Sequence, residues 1–476
     1  MSAEVQRSVV LAIDQGTTNS KAVLVDVEGR VRGVGSARVP ISNPRPGWVE
    51  QDPDLLWTSV LAAVAACLAS SRDRVVGLAL STQRETVVGW RASTGDAVGP
   101  ALGWQDRRTA AWCAAHLGRE DDAEVRTRTG LRVDPMFSAP KMAWLLAHDE
   151  APDDLVLGTV DAWLVHRLTG GAVRACEAGN ASRTLLYDIH TLAWSPALLE
   201  LFGVPASALP EVRASAAGFG VTAGVPGLPD GLPVLAVLAD SHAALLGQGC
   251  TVPGTAKATF GTGTSVMAPV ERLTELDSPV PTTLAWLAGS PLYAREGNIL
   301  SSGAALTWTA TLLGTDVSHL LALAATVPDT GGVTLVPAFN GLGAPHWDRE
   351  RTASLSGLTA SSTPAHVARA AVEAVAHQVC DVVDVLRAEQ VPITLLRADG
   401  GASASELLMQ TQADLLGLPV EVAPAPEVSA LGVAGLGWQA LGQPAVGASR
   451  PATRLAPAEG AAREERRAAW RAAIDR

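Results

Sequence analysis

One build recurs three times in this chain: a short apolar run, an aspartate at its carboxyl end, and then small or turn-forming residues. It occurs as Leu11-Ala12-Ile13-Asp14 before Gln15-Gly16-Thr17-Thr18, as residues 235–239 before Asp240, and as Leu395-Leu396-Arg397-Ala398 before Asp399-Gly400-Gly401. Short continuous apolar runs are what a strand buried on both faces requires. In α/β sheets, ligands gather beyond the carboxyl ends of such strands. A fourth small-residue turn, Gly261-Thr262-Gly263-Thr264, lies between strand-like runs at 257–260 and 265–270. These features predict an α/β chain whose polar chemistry is concentrated at strand ends.

The first forty residues read as three strands, at 9–13, 21–25 and 31–37, broken by Gly16-Thr17-Thr18 and Glu28-Gly29. Asp52-Pro53 opens a helix to about Ser70, with proline at the first helical position. A buried strand follows at 75–82, and the alternation of strands and helices continues to about 240. The strand–Gly/Thr turn–strand pattern at 257–270 repeats the opening of the chain, which suggests an internal duplication; isolated turns of this kind are also common between strands. A division near 245, where Gly247-Gln248-Gly249 interrupts the pattern, gives two units, 1–245 and 246–476. The tail from about Ala461 reads as a solvated helix.

A chain of 476 residues exceeds one ordinary domain, and 47% apolar with only 18% charged residues supplies large cores. A net charge of -12 argues against nucleic acid and anionic membrane as partners. No apolar stretch approaches the roughly 20 residues of a membrane helix. Five scattered cysteines without a C-x-x-C pair indicate neither a zinc site nor a disulfide framework. With no secretory segment at the N-terminus, the expected compartment is the cytoplasm. Self-association is left open.

Phosphoryl transfer asks little covalent work of a protein: donors around phosphates, a metal, and a base on the attacking hydroxyl. The glycines and threonines at these strand ends suit close approach to phosphate, and the aspartates suit metal or base roles. Each aspartate taken singly reads equally as a helix N-cap, Asp240 before Ser241-His242 being a good candidate. Gln83-Arg84-Glu85-Thr86 follows the 75–82 strand, and adjacent Arg and Glu there could bracket a diol or form a surface ion pair. Trp104 could wall such a ligand or simply pack. Lysine occurs only at Lys21, Lys141 and Lys257, and the first and last lie near Gly/Thr turns. No G-x-G-x-x-G follows the first strand, which weakens a dehydrogenase reading.

Together these motifs resemble the FGGY carbohydrate kinases, and within them the glycerol kinases. The resemblance is carried by Asp14-Gln15-Gly16-Thr17-Thr18, Pro46-Gly47-Trp48-Val49-Glu50-Gln51-Asp52-Pro53, Gln83-Arg84-Glu85-Thr86 and Asn180-Ala181-Ser182-Arg183-Thr184. It continues through Gly341-Leu342-Gly343-Ala344-Pro345 with Trp347-Asp348, and through the stretches 137–144 and 353–373. The resemblance implies two ribonuclease-H-like, actin-like ATPase domains closing on a catalytic cleft that takes ATP, Mg2+ and a small polyol or sugar. It implies Asp240 as general base and Asp14 near the metal. Thr17, Thr18, Gly261, Thr262, Gly303, Gly401 and Ser405 would serve the nucleotide, and Lys21, singled out by the scarcity of lysine, would add a compact charge near phosphate. Arg84, Glu85 and Trp104 would contact the acceptor. A non-catalytic nucleotide-binding member of the same superfold is the rival reading, which leaves Arg84, Glu85 and Asp240 without a purpose.

On the nucleoside side, Ser405 stands where an asparagine is usual, a mild change that does not forbid ATP. Three acceptor-side positions also depart from the glycerol-kinase pattern. Met136 stands where a tyrosine is usual, Ser241 where a glutamine is usual, and Ser265 where a phenylalanine packs on glycerol carbons. A three-carbon ligand would lose apolar contact and a hydrogen bond, each worth on the order of 1 kcal/mol. The expectation is therefore a four- or five-carbon polyol or related sugar, with glycerol itself as the alternative.

Overall fold

A computed structural model describes residues 7–116, 120–147, 152–273, 277–424, 427–443, 453–458 and 462–475. The opening strand Ser8–Gln15 turns at Gly16, whose N–H donates to the Asn19 carbonyl at 3.0 Å, and runs back antiparallel as Asn19–Asp26. Val31–Arg38 pairs antiparallel with that strand. On its other side, Ser8–Gln15 pairs parallel with Arg74–Thr82, which in turn pairs parallel with Val234–Ala239. The three expected strands, the 75–82 strand and the Asp52-capped helix Pro53–Ala69 are thus all present. The Asp52 carboxylate accepts from the N–H groups of Asp54 and Leu55, as a proline-led helix start requires.

The second half repeats this plan. Gly254–Phe260 pairs antiparallel with Thr264–Val270, which pairs antiparallel with Ser290–Ile299. On the other side, Gly254–Phe260 pairs parallel with Ile393–Asp399 and then Val420–Val422 follows in parallel. An antiparallel three-strand meander extended by two parallel strands occurs twice, so the suspected duplication is real in topology. The 25-residue helix Pro364–Ala388 forms the spine of the second core, with Val372, Val375, Val379 and Val383 fully buried.

The helix Val428–Ala440 returns to the first sheet and packs on Val10, Ala79 and Leu235, beside the helix Asp240–Gly247. Gly432 is required here: a Cβ on it would lie 2.0 Å from the Ala243 carbonyl oxygen. Residue 245, where the sequence suggested a division, falls inside the helix Asp240–Gly247. The terminal helix Arg463–Ile474 corrects the expectation of a solvated tail, because Trp470 and Arg467 are buried and Arg467 pairs with Asp381 at 2.6 Å. All five cysteines are free and buried. Among the described residues, no helix is long and apolar enough to cross a membrane.

Candidate active site

The parallel strand Arg74–Thr82 delivers Gln83-Arg84-Glu85-Thr86 into the interior, where Arg84 and Glu85 are both buried. That removes the surface-pair reading. Glu85 sits at φ 62, an uncommon conformation for a residue with a side chain, and the surrounding contacts hold it there. Arg84 forks onto Glu296, with Nη2 at 2.7 Å from Oε1 and Nη1 at 2.8 Å from Oε2. Its Nε lies 3.6 Å from Asp240 Oδ1 and 3.8 Å from Glu85 Oε1. Arg183 closes the cluster, donating to Glu85 at 2.7 Å and lying 2.9 Å from Glu296.

Two arginines and two glutamates therefore interlock beside Asp240. Burial alone would raise the Glu296 carboxyl, but Arg84 and Arg183 outweigh it and hold the group well below the carboxylate range. Asp240 differs: burial raises its carboxyl, Arg84 opposes, and the Glu85 charge adds to the rise. Its side chain is still a third exposed, so it reaches solvent from within the cluster. The N-cap alternative for Asp240 fails, since the helix Asp240–Gly247 starts from Ala239 without a side-chain cap. Instead, Asp240 Oδ1 accepts from the Ser241 N–H at 2.6 Å, which fixes the carboxylate's direction.

Ser265 belongs to the same cluster. Lys257 Nζ donates to it at 3.3 Å, and its hydroxyl donates to Glu296 Oε1 at 3.1 Å. Lysine offers only donors and an ionised carboxylate only acceptors, so the orientation of the Ser265 hydroxyl is determined. Met136 is half-buried at the edge of the apolar cluster that contains Val87, Val133 and Phe137. Its carbonyl and that of Gly103 both accept from buried Lys141, at 2.7 and 3.1 Å, which ties the turn before Phe137 to the loop carrying Trp104. Burial pushes the Lys141 ammonium down to about 7 despite the nearby Glu85, Asp106 and Asp134.

Near the carboxyl end of the first strand, Asp14 lies directly opposite Lys21 and accepts from the Ser81 hydroxyl at 2.7 Å. Burial pushes its carboxyl up to about 6; the Ser81 bond opposes the shift and the Asp240 charge adds to it. Thr17 is half-buried and Thr18 exposed in the following turn. The indole N–H of Trp104 donates to Thr17 Oγ1 at 2.9 Å, so Trp104 does more than pack.

The Gly261-Thr262 turn is exposed and docks on the start of the helix Gly303–Leu312. Gly303 and Ala304 donate to the carbonyls of Gly261 and Thr262, each at 3.0 Å. A Cβ on Gly303 would come 2.5 Å from the Gly261 oxygen, so only glycine permits this contact. Gly400, at φ 88, approaches the Phe260 backbone as closely, and this brings Gly401 beside the same turn. Ser405 has a structural task, because its hydroxyl caps the helix Glu406–Leu416 by accepting from the Leu408 N–H at 3.2 Å.

The structure thus gathers Asp14, Thr17, Lys21, Arg84, Glu85, Trp104 and Asp240 at the strand ends of the first sheet. It gathers Gly261, Thr262, Gly303 and Gly401 at those of the second, with Ser265 linked to both sides through Glu296. Sequence reading missed Glu296, the structural part of Arg183, and Lys141. Arg183 lay within a quoted motif, and Lys141 was one of only three lysines; Glu296 gave no local signal. Among the described residues, no group of three His, Cys, Asp or Glu could hold a metal unaided. Asp14 with Asp240 and Glu427 in electrostatic reach nevertheless fits Mg2+, which favours one or two carboxylates completed by substrate phosphates.

The duplicated α/β fold brings polar strand ends of its two halves together, as the Arg84–Glu296 pair shows. Residues 9–247 match the N-terminal domain of the FGGY family of carbohydrate kinases, and residues 256–441 match its C-terminal domain. An apulose kinase from Pectobacterium atrosepticum is 43% identical over 447 residues, covering 91% of this chain and 90% of the relative. A glycerol kinase from Rhodospirillum centenum is 44% identical over 456 residues, covering 92% and 90%. The crystal structure of Plasmodium falciparum glycerol kinase with ADP superposes with a TM-score of 0.91 at 27% identity, covering 99% of each chain. The chain belongs to the FGGY family of carbohydrate kinases. It is a phosphotransferase that acts on a sugar or polyol.

Proposed function

We propose that this kinase transfers the γ-phosphoryl group of ATP to a hydroxyl of a four- or five-carbon polyol or related sugar, with Asp240 as general base. The observation that carries the reading is the convergence of Asp240, Arg84 and Asp14 from the ends of three adjacent strands, with Asp240 both raised and part-exposed. Arg84 and Glu85 hold the acceptor's hydroxyls, and Trp104 lies against its carbons. Thr17, Thr18, Lys21, Gly261, Thr262, Gly303 and Gly401 line the nucleotide. Ser405 contributes to that side only from its helix cap. Asp14 would hold Mg2+, which supplies charge neutralisation on the phosphates when bound.

In the transfer, Asp240 takes the proton of the attacking hydroxyl as its oxygen bonds to the γ-phosphorus, and the bond to the β-phosphate oxygen breaks, so ADP leaves with the electron pair. The two domains close over the reactants and exclude water, favouring transfer to the polyol over hydrolysis.

Met136, Ser241 and Ser265 support a ligand longer than glycerol, and so does the relative named for apulose. Glycerol is the second reading, supported by the several relatives named glycerol kinase at 41% to 44% identity. The test is ATP turnover against glycerol, erythritol, threitols, pentitols, ketopentoses and apulose, with wild type and Asp240→Asn. The variant should lose on the order of 10²–10⁴-fold in kcat with the KM for ATP nearly unchanged. Near-normal turnover would refute the base assignment, and a preference for glycerol would refute the longer acceptor.

A further inference from the structure

Behind the cleft, five residues close a ring of hydrogen bonds that the reaction as described does not use. The Trp104 backbone N–H donates to Thr86 Oγ1 at 3.2 Å, and Thr86 donates to Gln83 Oε1 at 2.9 Å. The Gln83 amide donates to Gln51 Oε1 at 2.9 Å and to Gln15 Oε1 at 3.0 Å. Gln51 donates to the Thr17 carbonyl at 2.8 Å, and the Trp104 indole N–H closes the ring on Thr17 Oγ1 at 2.9 Å.

Each link is forced by the next. The Thr17 backbone carbonyl can only accept, so the Gln51 NH2 faces it and the Gln51 oxygen faces the Gln83 NH2. The Gln83 oxygen is then left to take the Thr86 proton, and the Thr86 hydroxyl accepts from the Trp104 N–H, which can only donate. Gln15, Gln51, Gln83 and Thr86 are all almost fully buried, so no water stands ready to repair a broken link. Thr17 Oγ1 accepts from the indole, which leaves its proton uncommitted among the described residues and available for a ligand at the turn. The same ring flanks the acceptor side, since Gln83 and Thr86 bracket Arg84 and Glu85.

We propose that this ring couples the two substrate sites, with Trp104 acting as the positioning residue that orients the Thr17 hydroxyl toward phosphate. An acceptor packed on Trp104 fixes the indole, the indole fixes Thr17, and nucleotide binds tighter once the acceptor is present; by linkage the reverse holds too. The inference rests on the acceptor role of Trp104 and the phosphate role of Thr17 given above.

A double-mutant cycle tests it, with Trp104→Phe removing only the N–H from an aromatic wall and Thr17→Val removing only the hydroxyl. With erythritol or glycerol, whichever is turned over faster, each single variant should lower kcat/KM for ATP about tenfold. The pair should lower it about tenfold as well, not a hundredfold. In the wild type that acceptor should tighten binding of Mg2+ with a non-hydrolysable ATP analogue at least threefold, and in both variants the ratio should fall to about one. Thr86→Val opens the ring on its far side without altering either contact residue and should abolish the same linkage. Additive losses, or a linkage that survives in these variants, would overturn the inference while leaving the kinase reading intact. A wild type that phosphorylates no polyol or sugar would sink that reading, and the inference with it.

Discussion

Replacing Glu296 by glutamine probes the interlocked charges directly. Glu296 takes both ends of the Arg84 fork, at 2.7 and 2.8 Å, and faces Arg183 at 2.9 Å with its side chain fully buried. With Arg84 and Arg183 as +2 and Glu85 and Glu296 as −2, the cluster balances; in Glu296→Gln one positive charge is left over in the interior. The new amide also turns an N–H toward a guanidinium that itself only donates. Removing one partner of a buried pair costs about 3–5 kcal/mol. At about 2–4 °C per kcal/mol for a unit of this size, Tm should fall on the order of 10 °C. Because Arg84 loses the group that aims it, the acceptor KM should rise at least about tenfold while the KM for ATP moves little. Calorimetry and steady-state kinetics on the same preparation read both effects. A Tm within about 2 °C of wild type, together with an unchanged acceptor KM, would refute the claim that Glu296 holds the acceptor-binding arginine.

Ser265→Phe restores an aromatic wall and should raise the ratio of kcat/KM for glycerol over erythritol by about tenfold, the scale expected for one pocket contact. An unchanged ratio would show that Ser265 does not size the pocket. Glu177, buried and accepting from Asn180 N–H at 2.8 Å and Ser215 Oγ at 2.6 Å, is pushed up to about 8 chiefly by burial, against an ordinary 4.5. Between those values the folded chain keeps a proton that the unfolded chain has released, so stability should decline as pH rises from about 5 to 8. Denaturant melts of Glu177→Gln should show a shallower decline; an identical slope would exclude Glu177 as its source.

Much of the architecture could be read from local pattern. The apolar runs ending in Asp14, Asp240 and Asp399 are strands, and the Asp52-Pro53 helix start holds to the residue. Arg84 and Glu85 stood out because two opposite charges followed a buried run. Glu296 did not, since its strand Ser290–Ile299 also carries Arg295 and Asn298 and its partner Arg84 is 212 residues away. Charge cancelled across that distance leaves no trace in a window of ten residues. Lys141 looks like any helical lysine until the carbonyls of Gly103 and Met136 close on it. A serine before a helix, such as Ser405, reads alike whether it caps or contacts a ligand, and the tail helix hid its buried Trp470 and Arg467 behind a run of charges.

The return of Val428–Ala440 to the first sheet bears on how the chain is made. Its Trp438 is buried among residues of that sheet and donates from its indole to the Val25 carbonyl at 3.2 Å, across a separation of 413 residues. The opening strands leave the ribosome long before this helix, so one face of their sheet stays bare until about 400 further residues have been synthesised. At about 5–20 residues per second, that interval is tens of seconds, during which Val10, Ala79 and Leu235 have no lasting cover. A protein stopped short of residue 440 would carry that bare face permanently, so nascent and truncated forms of this kinase should be clients for holdase chaperones, and their yield should track chaperone supply far more than the finished enzyme's stability does.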